Sequence, residues 1–230
     1  MEQFSPPQHI ALILDGNRRW ATNKGLPKMM GHMEGSKNVK RIVQAALDAG
    51  VPYITMYILS TENIKNRSEE ELNYLFSLFE KIVDYLEDFL KQDVRLRLIG
   101  DISKLPDSVQ RNMTEVVEQT AQNKTLTLTL AANYGGRDEI VRTIQRMMSD
   151  GLTSLEVTEA TVQAYLDTKG IPDVDMVIRT GGDQRLSNYL PWQSTYAELY
   201  FTQIQWPAFS PNDLNQAIAW FQEQKRNKGK

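Results

Sequence analysis

Five consecutive apolar residues, Ile10 to Leu14, run without transition into Asp15, Gly16, Asn17, Arg18, Arg19 and Trp20. A run so short and so uniformly apolar fits a strand covered on both faces, as the parallel strands of α/β sheets are. The polar residues then stand at the strand's carboxyl end, the edge along which open α/β sheets bind ligands. A carboxylate, an amide and two guanidinium groups at that edge suit a metal-bound anion. They equally suit a helix start, with Asp15 or Asn17 as the N-cap and the arginines solvated, because strand-to-helix turns favour Asp, Asn and Gly for backbone reasons.

The pattern recurs along the chain. Tyr53 to Leu59 reads as a second strand and ends in Ser60, Asn63 and Arg67. If it lies parallel to the first and beside it, these groups reach the same edge as Asp15 and Arg19. Val94 to Gly100 and Leu126 to Ala132 read as further strands, the latter ending in Asn133-Tyr-Gly-Gly-Arg137. Met176 to Ile178 delivers Arg179 into a Gly181-Gly182 turn, with Arg185 and Ser187 just beyond. Bare backbone at the two glycines admits an anion closely, and two guanidinium groups with a hydroxyl can grip phosphate oxygens. Glu198, alone among Tyr196, Leu199, Tyr200 and Phe201, is expected to be paired or metal-linked.

Helical periodicity fills the intervals. Ser36 to Ala49 carries a stripe through Val39, Ile42, Val43, Ala46 and Leu47, closed by Gly50. Before it, Gly25, Pro27 and Gly31 predict a loop that holds His32, either as a helix-start hydrogen bonder or as a phosphate donor over Asp15. Ser68 with Glu71 forms a capping-box pattern that opens a long helix to about Gln92, whose wide face of Leu75, Phe76, Phe79, Ile82, Leu86 and Phe89 is either core or one wall of an elongated apolar pocket. Helices are also predicted over 107–122, over 138–149, over 158–167 with Thr158 as cap, and from about Asn212 to Arg226. Alternation of this kind predicts an α/β fold of one domain, residues 1–230, with a central, mostly parallel sheet flanked by helices.

Composition narrows the chemistry. The chain has no cysteine and only two histidines, so any metal must be held by oxygen ligands. A net charge of -3 gives no general field for nucleic acid, which is excluded as a partner. Neither a Walker A loop nor GxGxxG occurs. No stretch resembles a signal peptide or a membrane span, which leads to the expectation of a cytoplasmic protein. Phosphate-gripping arginines beside a long apolar helix suit a substrate with a diphosphate head and a hydrocarbon tail.

These residues carry a resemblance. The segments His9 to Trp20, Gly31-His32, Ser60-Thr-Glu-Asn63, Ala132 to Arg137, Ile178-Arg-Thr-Gly-Gly182 leading to Arg185, Ser187 and Trp192, and Tyr196 to Phe201 resemble the cis-prenyltransferases of the undecaprenyl diphosphate synthase type over nearly the whole chain. The resemblance implies a homodimer with an apolar tunnel between sheet and helices. There isopentenyl diphosphate condenses with an allylic diphosphate, farnesyl or geranyl, to give a Z-polyprenyl diphosphate, and the lipid product brings peripheral contact with a membrane. It implies that Asp15 assists Mg²⁺-dependent departure of the allylic diphosphate, which Asn17, Arg19 and His32 surround. Ser60 and Asn63 would act near the condensing carbons, Arg179, Arg185 and Ser187 would hold isopentenyl diphosphate, and Glu198 would help hold the metal. Gly16, Arg18, Trp20, Lys28 and Arg67 complete the implied substrate-binding set.

The sequence departs from the family pattern in places. Asn66 holds the usual arginine position and Arg67 follows it, Lys28 replaces a common arginine, and the C-terminal Arg226-Asn-Lys-Gly229 is one residue longer than the family's Arg-x-Gly. Ile58 stands where long-chain members carry a small residue, which opens a short or medium product. There is no DDxxD pair, which sets the chain apart from trans-type synthases. Irregular condensation of two allylic diphosphates and a non-catalytic lipid-binding partner subunit are the alternatives. The latter is disfavoured by the retention of Asp15, Arg19, Arg179 and Arg185.

Overall fold

The computed structural model describes residues 5–224. In chain order the elements are β1 (His9–Ile13), α1 (Asn17–Asn23), α2 (Lys28–Asp48), β2 (Tyr53–Ser60), α3 (Thr61–Asn66), α4 (Glu69–Glu80), α5 (Leu86–Lys91), β3 (Val94–Ile99), α6 (Asp107–Gln119), β4 (Leu126–Tyr134), α7 (Gly136–Ser149), α8 (Glu159–Tyr165), β5 (Met176–Arg179), β6 (Glu198–Phe201) and α9 (Pro211–Glu223). The six strands form one sheet in the order β3-β4-β2-β1-β5-β6, and every neighbouring pair is parallel. All carboxyl ends therefore share one edge.

Both faces of the sheet are covered, which is why β1 is apolar from Ile10 onward and all five of its residues, His9 included, are buried. Ile10, Leu12, Ile54, Met56, Leu128 and Ile178 pack on one face beneath α2, α5 and α9. Ala11, Ile13, Ala131 and Val177 face the other way, against Tyr189 and Leu190. The register of β2 on β4 shifts after Tyr57 and again after Leu59, so an irregularity re-aims the side chains just where β2 reaches the shared edge.

Four predicted boundaries are corrected. Helix α2 begins at Lys28 rather than Ser36, with Pro27 as its N-cap, so Gly31 and His32 lie inside a helix and not in a loop. Gly31 does not break the helix because its smallness serves a crossing: a Cβ there would stand 1.9 Å from the Asn17 carbonyl oxygen. The long helix expected to run to Gln92 is divided by a 3-10 segment, Lys81–Tyr85, between α4 and α5. Helix α7 starts at Gly136, two residues early. Ser68 caps α4 by accepting the Glu71 amide, but the Glu71 carboxylate does not complete the box. Helix α9 ends at Glu223, and the Arg226 to Gly229 segment lies outside the described residues. No helix among them is long and apolar enough to cross a membrane.

Candidate active site

Asp15 leaves β1 two residues after Ile13, which pairs with Arg179 of β5. It is not a cap: the N-cap of α1 is Gly16, at φ 99°, with no side-chain capping bond. Its carboxylate instead accepts from the Gly16 amide at 2.6 Å, from Arg19 Nη2 at 3.1 Å and from Arg179 Nη2 at 2.9 Å. Burial favours the neutral acid, but Arg179, then Arg19 and the Gly16 amide, outweigh it and hold the carboxyl below its ordinary value. Gly181, at φ 85°, lets the turn after β5 lie against this group, since a Cβ would stand 3.0 Å from the Asp15 carbonyl oxygen.

Arg179 is the most enclosed cation of the site, with 5% of its side chain accessible. Nη1 donates to Ser187 Oγ at 2.8 Å and Nη2 to Asp183 Oδ2 at 3.2 Å, while Nε is buried with no partner. Arg185 also donates to Asp183 Oδ2, at 2.7 Å. One carboxylate thus bridges the two arginines that the sequence assigned to a diphosphate. Asp183 was missed in the sequence; its place between the Gly181-Gly182 turn and Arg185 was the available signal.

Ser60 and Asn63 are tied together as a true capping box. Ser60 Oγ accepts the Asn63 amide at 3.0 Å, and Asn63 Oδ1 accepts the Ser60 amide at 3.4 Å. Arg67 Nη2 donates to the same Asn63 oxygen at 3.2 Å, so the displaced arginine of the sequence still reaches the edge. It also pairs with Glu71 at 3.3 Å, and Glu71 accepts from His32 Nε2 at 3.2 Å when that nitrogen carries the proton. Burial, with the Arg67 charge, outweighs Glu71 and holds His32 below its ordinary value. Glu71, read in the sequence only as half of a capping box, is therefore a second organiser of the site.

These groups open into one cavity of about 760 Å³. Asp15, Asn17, His32, Ser60, Asn63, Arg67, Arg179, Arg185 and Ser187 line its polar end; Val39, Val43, Ile58, Leu75, Phe79, Ile82 and Phe89 continue it as an apolar channel between the sheet and α2, α4 and α5. The wide face of the α4–α5 region is thus a pocket wall as well as core.

Other expected residues fall elsewhere. Arg18 and Arg19 are half exposed, on Glu71 and Asp15 respectively. Trp20 is half-buried beneath Lys24, 4.1 Å from its ring centre, and Lys28 is exposed at the start of α2; neither is among the residues lining the cavity. Glu198 opens β6, whose Phe201 pairs with Arg179. Three residues at about 3.3 Å each place it about 10 Å back toward the amino edge. This chain does not bring Glu198 to Asp15, because the apolar run that surrounds it is the strand itself. Among the described residues no group of three or more His, Cys, Asp or Glu forms a metal cage.

The comparisons fit this geometry. A family model described as putative undecaprenyl diphosphate synthase matches residues 13–229. The chain belongs to that family of prenyltransferases. An isoprenyl transferase of Treponema denticola is 44% identical over 223 residues, covering 96% of this chain and 97% of the relative. One from Clostridium perfringens is 44% identical over 228 residues, covering 97% and 90%. Among solved structures, lavandulyl diphosphate synthase from Lavandula x intermedia, in complex with dimethylallyl diphosphate, superposes with a TM-score of 0.94 at 33% identity over 98% of this chain and 99% of that one. A probable undecaprenyl diphosphate synthase from Campylobacter jejuni gives 0.82 at 33% identity, covering all of both chains. The fold is thus shared over nearly the full length of the chain.

Proposed function

We propose that the chain condenses isopentenyl diphosphate with a farnesyl or geranyl starter and releases diphosphate. The observation that carries this is the single cavity that joins three arginines and Asp15 to an apolar channel. In the reaction the isopentenyl double bond attacks the allylic carbon, the C–O bond breaks with its electron pair on the departing diphosphate, and a proton leaves the new chain. Arg179, Arg185 and Ser187 grip the diphosphate of the nucleophile, and Arg19, Asn17 and His32 face that of the starter. Ser60 and Asn63, fixed by their mutual capping bonds, stand over the reacting carbons. The apolar wall excludes water from the cationic allyl group.

Mg²⁺ fits a donor set of carboxylates such as Asp15, which lines the cavity together with Asp183 and Glu62; Asp15 would hold the ion, and the remaining ligands would come from the diphosphate and water, a common arrangement for this ion. Bound there, Mg²⁺ would stabilise charge on the leaving diphosphate.

Ile58 and Phe89 both line the channel, and a channel reaching beyond Ile58 supports a medium-length product. A second copy of the chain would cover the apolar stripe of α7, where Val141, Ile144 and Met148 are 53%, 49% and 72% exposed, and we read this as the homodimer face. A second reading, condensation of two allylic diphosphates, draws on the likeness to a lavandulyl diphosphate synthase. Incubating the protein with farnesyl diphosphate, labelled isopentenyl diphosphate and Mg²⁺, then sizing the dephosphorylated products, tests the proposal. Incorporation of label into longer alcohols is the expected result. Products formed from dimethylallyl diphosphate alone would instead favour the second reading.

A further inference from the structure

Asn188 lines the cavity beside Ser187 and takes no part in the reaction proposed above, yet its side chain joins the segments that follow three different strands. Its Oδ1 accepts the Arg137 amide, after β4, at 3.0 Å, and its Nδ2 donates to Glu62 Oε1, after β2, at 3.0 Å. A backbone amide only donates and an ionised carboxylate only accepts, so the two partners fix which way the Asn188 amide faces. Burial favours the neutral acid at Glu62, but its own backbone amide, then Asn188 and the Ser60 and Thr61 hydroxyls, hold the carboxyl below its ordinary value. The Asn188 carbonyl oxygen also accepts the Gly136 amide at 2.8 Å. Gly135, the N-cap of α7, makes no side-chain capping bond, so Asn188 satisfies the first two amides of that helix from a separate segment.

The backbone is shaped for these bonds. Ser187 and Asn188 have φ of 51° and 63°, in the left-handed region that asparagine tolerates better than most residues. A Cβ at Gly135 would stand 2.9 Å from Asn188 Nδ2, and one at Gly136 would stand 2.0 Å from the Pro191 ring, so the two glycines let the segments meet. Tyr189, next in the chain, is fully buried and stacks on Tyr57 with ring centres 4.4 Å apart, which anchors the turn independently of the side chain at 188. On one side of Asn188 stands Ser187, bonded to Arg179; on the other, Glu62 lies between Ser60 and Asn63 at the start of α3. The Asn188–Glu62 bond thus spans the gap between the groups assigned to the nucleophile's diphosphate and those assigned to the reacting carbons.

We propose that Asn188 is a positioning residue that sets the distance between the diphosphate grip after β5 and the Ser60–Asn63 pair of α3. This rests on the reaction proposed above. A displacement of about 1 Å between the two anchors spoils the line of attack while each anchor still binds its own group. Asn188→Gly keeps the left-handed backbone and the bond to Gly136 and removes both side-chain bonds. Its single-turnover rate of condensation, measured by rapid quench at saturating farnesyl and isopentenyl diphosphate with Mg²⁺, falls about 10- to 100-fold, while its affinity for isopentenyl diphosphate, read by calorimetry without turnover, stays within about threefold of the parent. Asn188→Asp keeps the acceptor for Arg137 but sets a second carboxylate against Glu62, and it lowers the rate at least as far. A residue that only stabilised the fold would lower the urea midpoint and leave the rate per folded molecule at the parental value. That result overturns the proposal, as does a rate that falls only in step with lost affinity. Failure of the parent to condense the two substrates would overturn the proposed function and this inference with it, whereas an active parent with an equally fast Asn188→Gly overturns this inference alone.

Discussion

Arg179 Nη2 lies 2.9 Å from Asp15 Oδ2, joining the ends of two adjacent parallel strands by an ion pair with its cation buried and its anion partly open. In the proposed reaction this carboxylate, kept ionised by Arg179 and Arg19, stands beside the departing diphosphate. Asp15→Ala is expected to lower turnover by about 10²-fold or more. Its cost in stability is about 1–2 kcal/mol, since Asp183 still partners Arg179 and Asp15 is partly solvated. Steady-state kinetics with urea unfolding checks both. Because the folded carboxyl titrates below its ordinary 3.8, its contribution is fully present above that pH and is lost as pH falls through the folded value.

The two histidines act in a milder range. His9 is held below its ordinary value by burial, against the opposing hydrogen bond to the Pro172 carbonyl; His32 is held down by burial and Arg67. The unfolded chain takes up a proton at each near pH 6.5, while the folded protein resists until lower pH. The unfolded state therefore binds more protons in that window, and stability falls as pH drops from about 7 through 6.5 toward the folded values. Urea midpoints at about pH 7.5 and about pH 5.5 measure the slope. His32→Gln should reduce it and leave the part due to His9; an unaltered slope would remove His32 from the account.

Asp183 raises a different question, because its carboxylate pairs with both guanidinium groups that the proposed reaction assigns to a diphosphate. An entering anion would compete with it there. Asp183→Asn keeps the shape and removes the competing charge, so the affinity for inorganic diphosphate should rise roughly threefold to tenfold, the scale of one partly exposed ion pair. Calorimetry reads this directly. Weaker binding in the variant would show that Asp183 organises the arginines more than it competes for them.

Much of the site was legible because buried parallel strands advertise themselves: an apolar run that stops at charge marks a strand end, and Asp15, Ser60 and Arg179 were found that way. What escaped was whatever depends on a partner distant in sequence. Glu71 looked like a local cap; Arg67 is its i,i+4 neighbour, but only the packing of α4 on α2 brings His32 to it. Glu198 looked like a buried charge awaiting a metal, but the side of the sheet on which a four-residue strand begins is fixed by its pairing with β5 and not by its own residues. The helical place of His32 was hidden by Gly31, whose usual meaning as a breaker is reversed by the close approach of Asn17.

That reversal is open to test. Replacing a glycine inside a helix by alanine ordinarily stabilises by about 0.5–1 kcal/mol, through backbone entropy. At Gly31 the added Cβ would meet the Asn17 carbonyl oxygen at 1.9 Å and the Ala21 side chain at 3.3 Å, so α1 must move away from α2. Overpacking of this kind costs about 1–3 kcal/mol, more than the entropy gain. Gly31→Ala should therefore lower the urea midpoint. Because the shift displaces Asn17 and Arg19 on α1, it should also, on the proposed reaction, weaken binding of the allylic substrate more than that of isopentenyl diphosphate, which that reaction assigns to Arg179 on β5 and its turn. A variant more stable than the parent, with both affinities unchanged, would mean that the helices are not fixed by this contact.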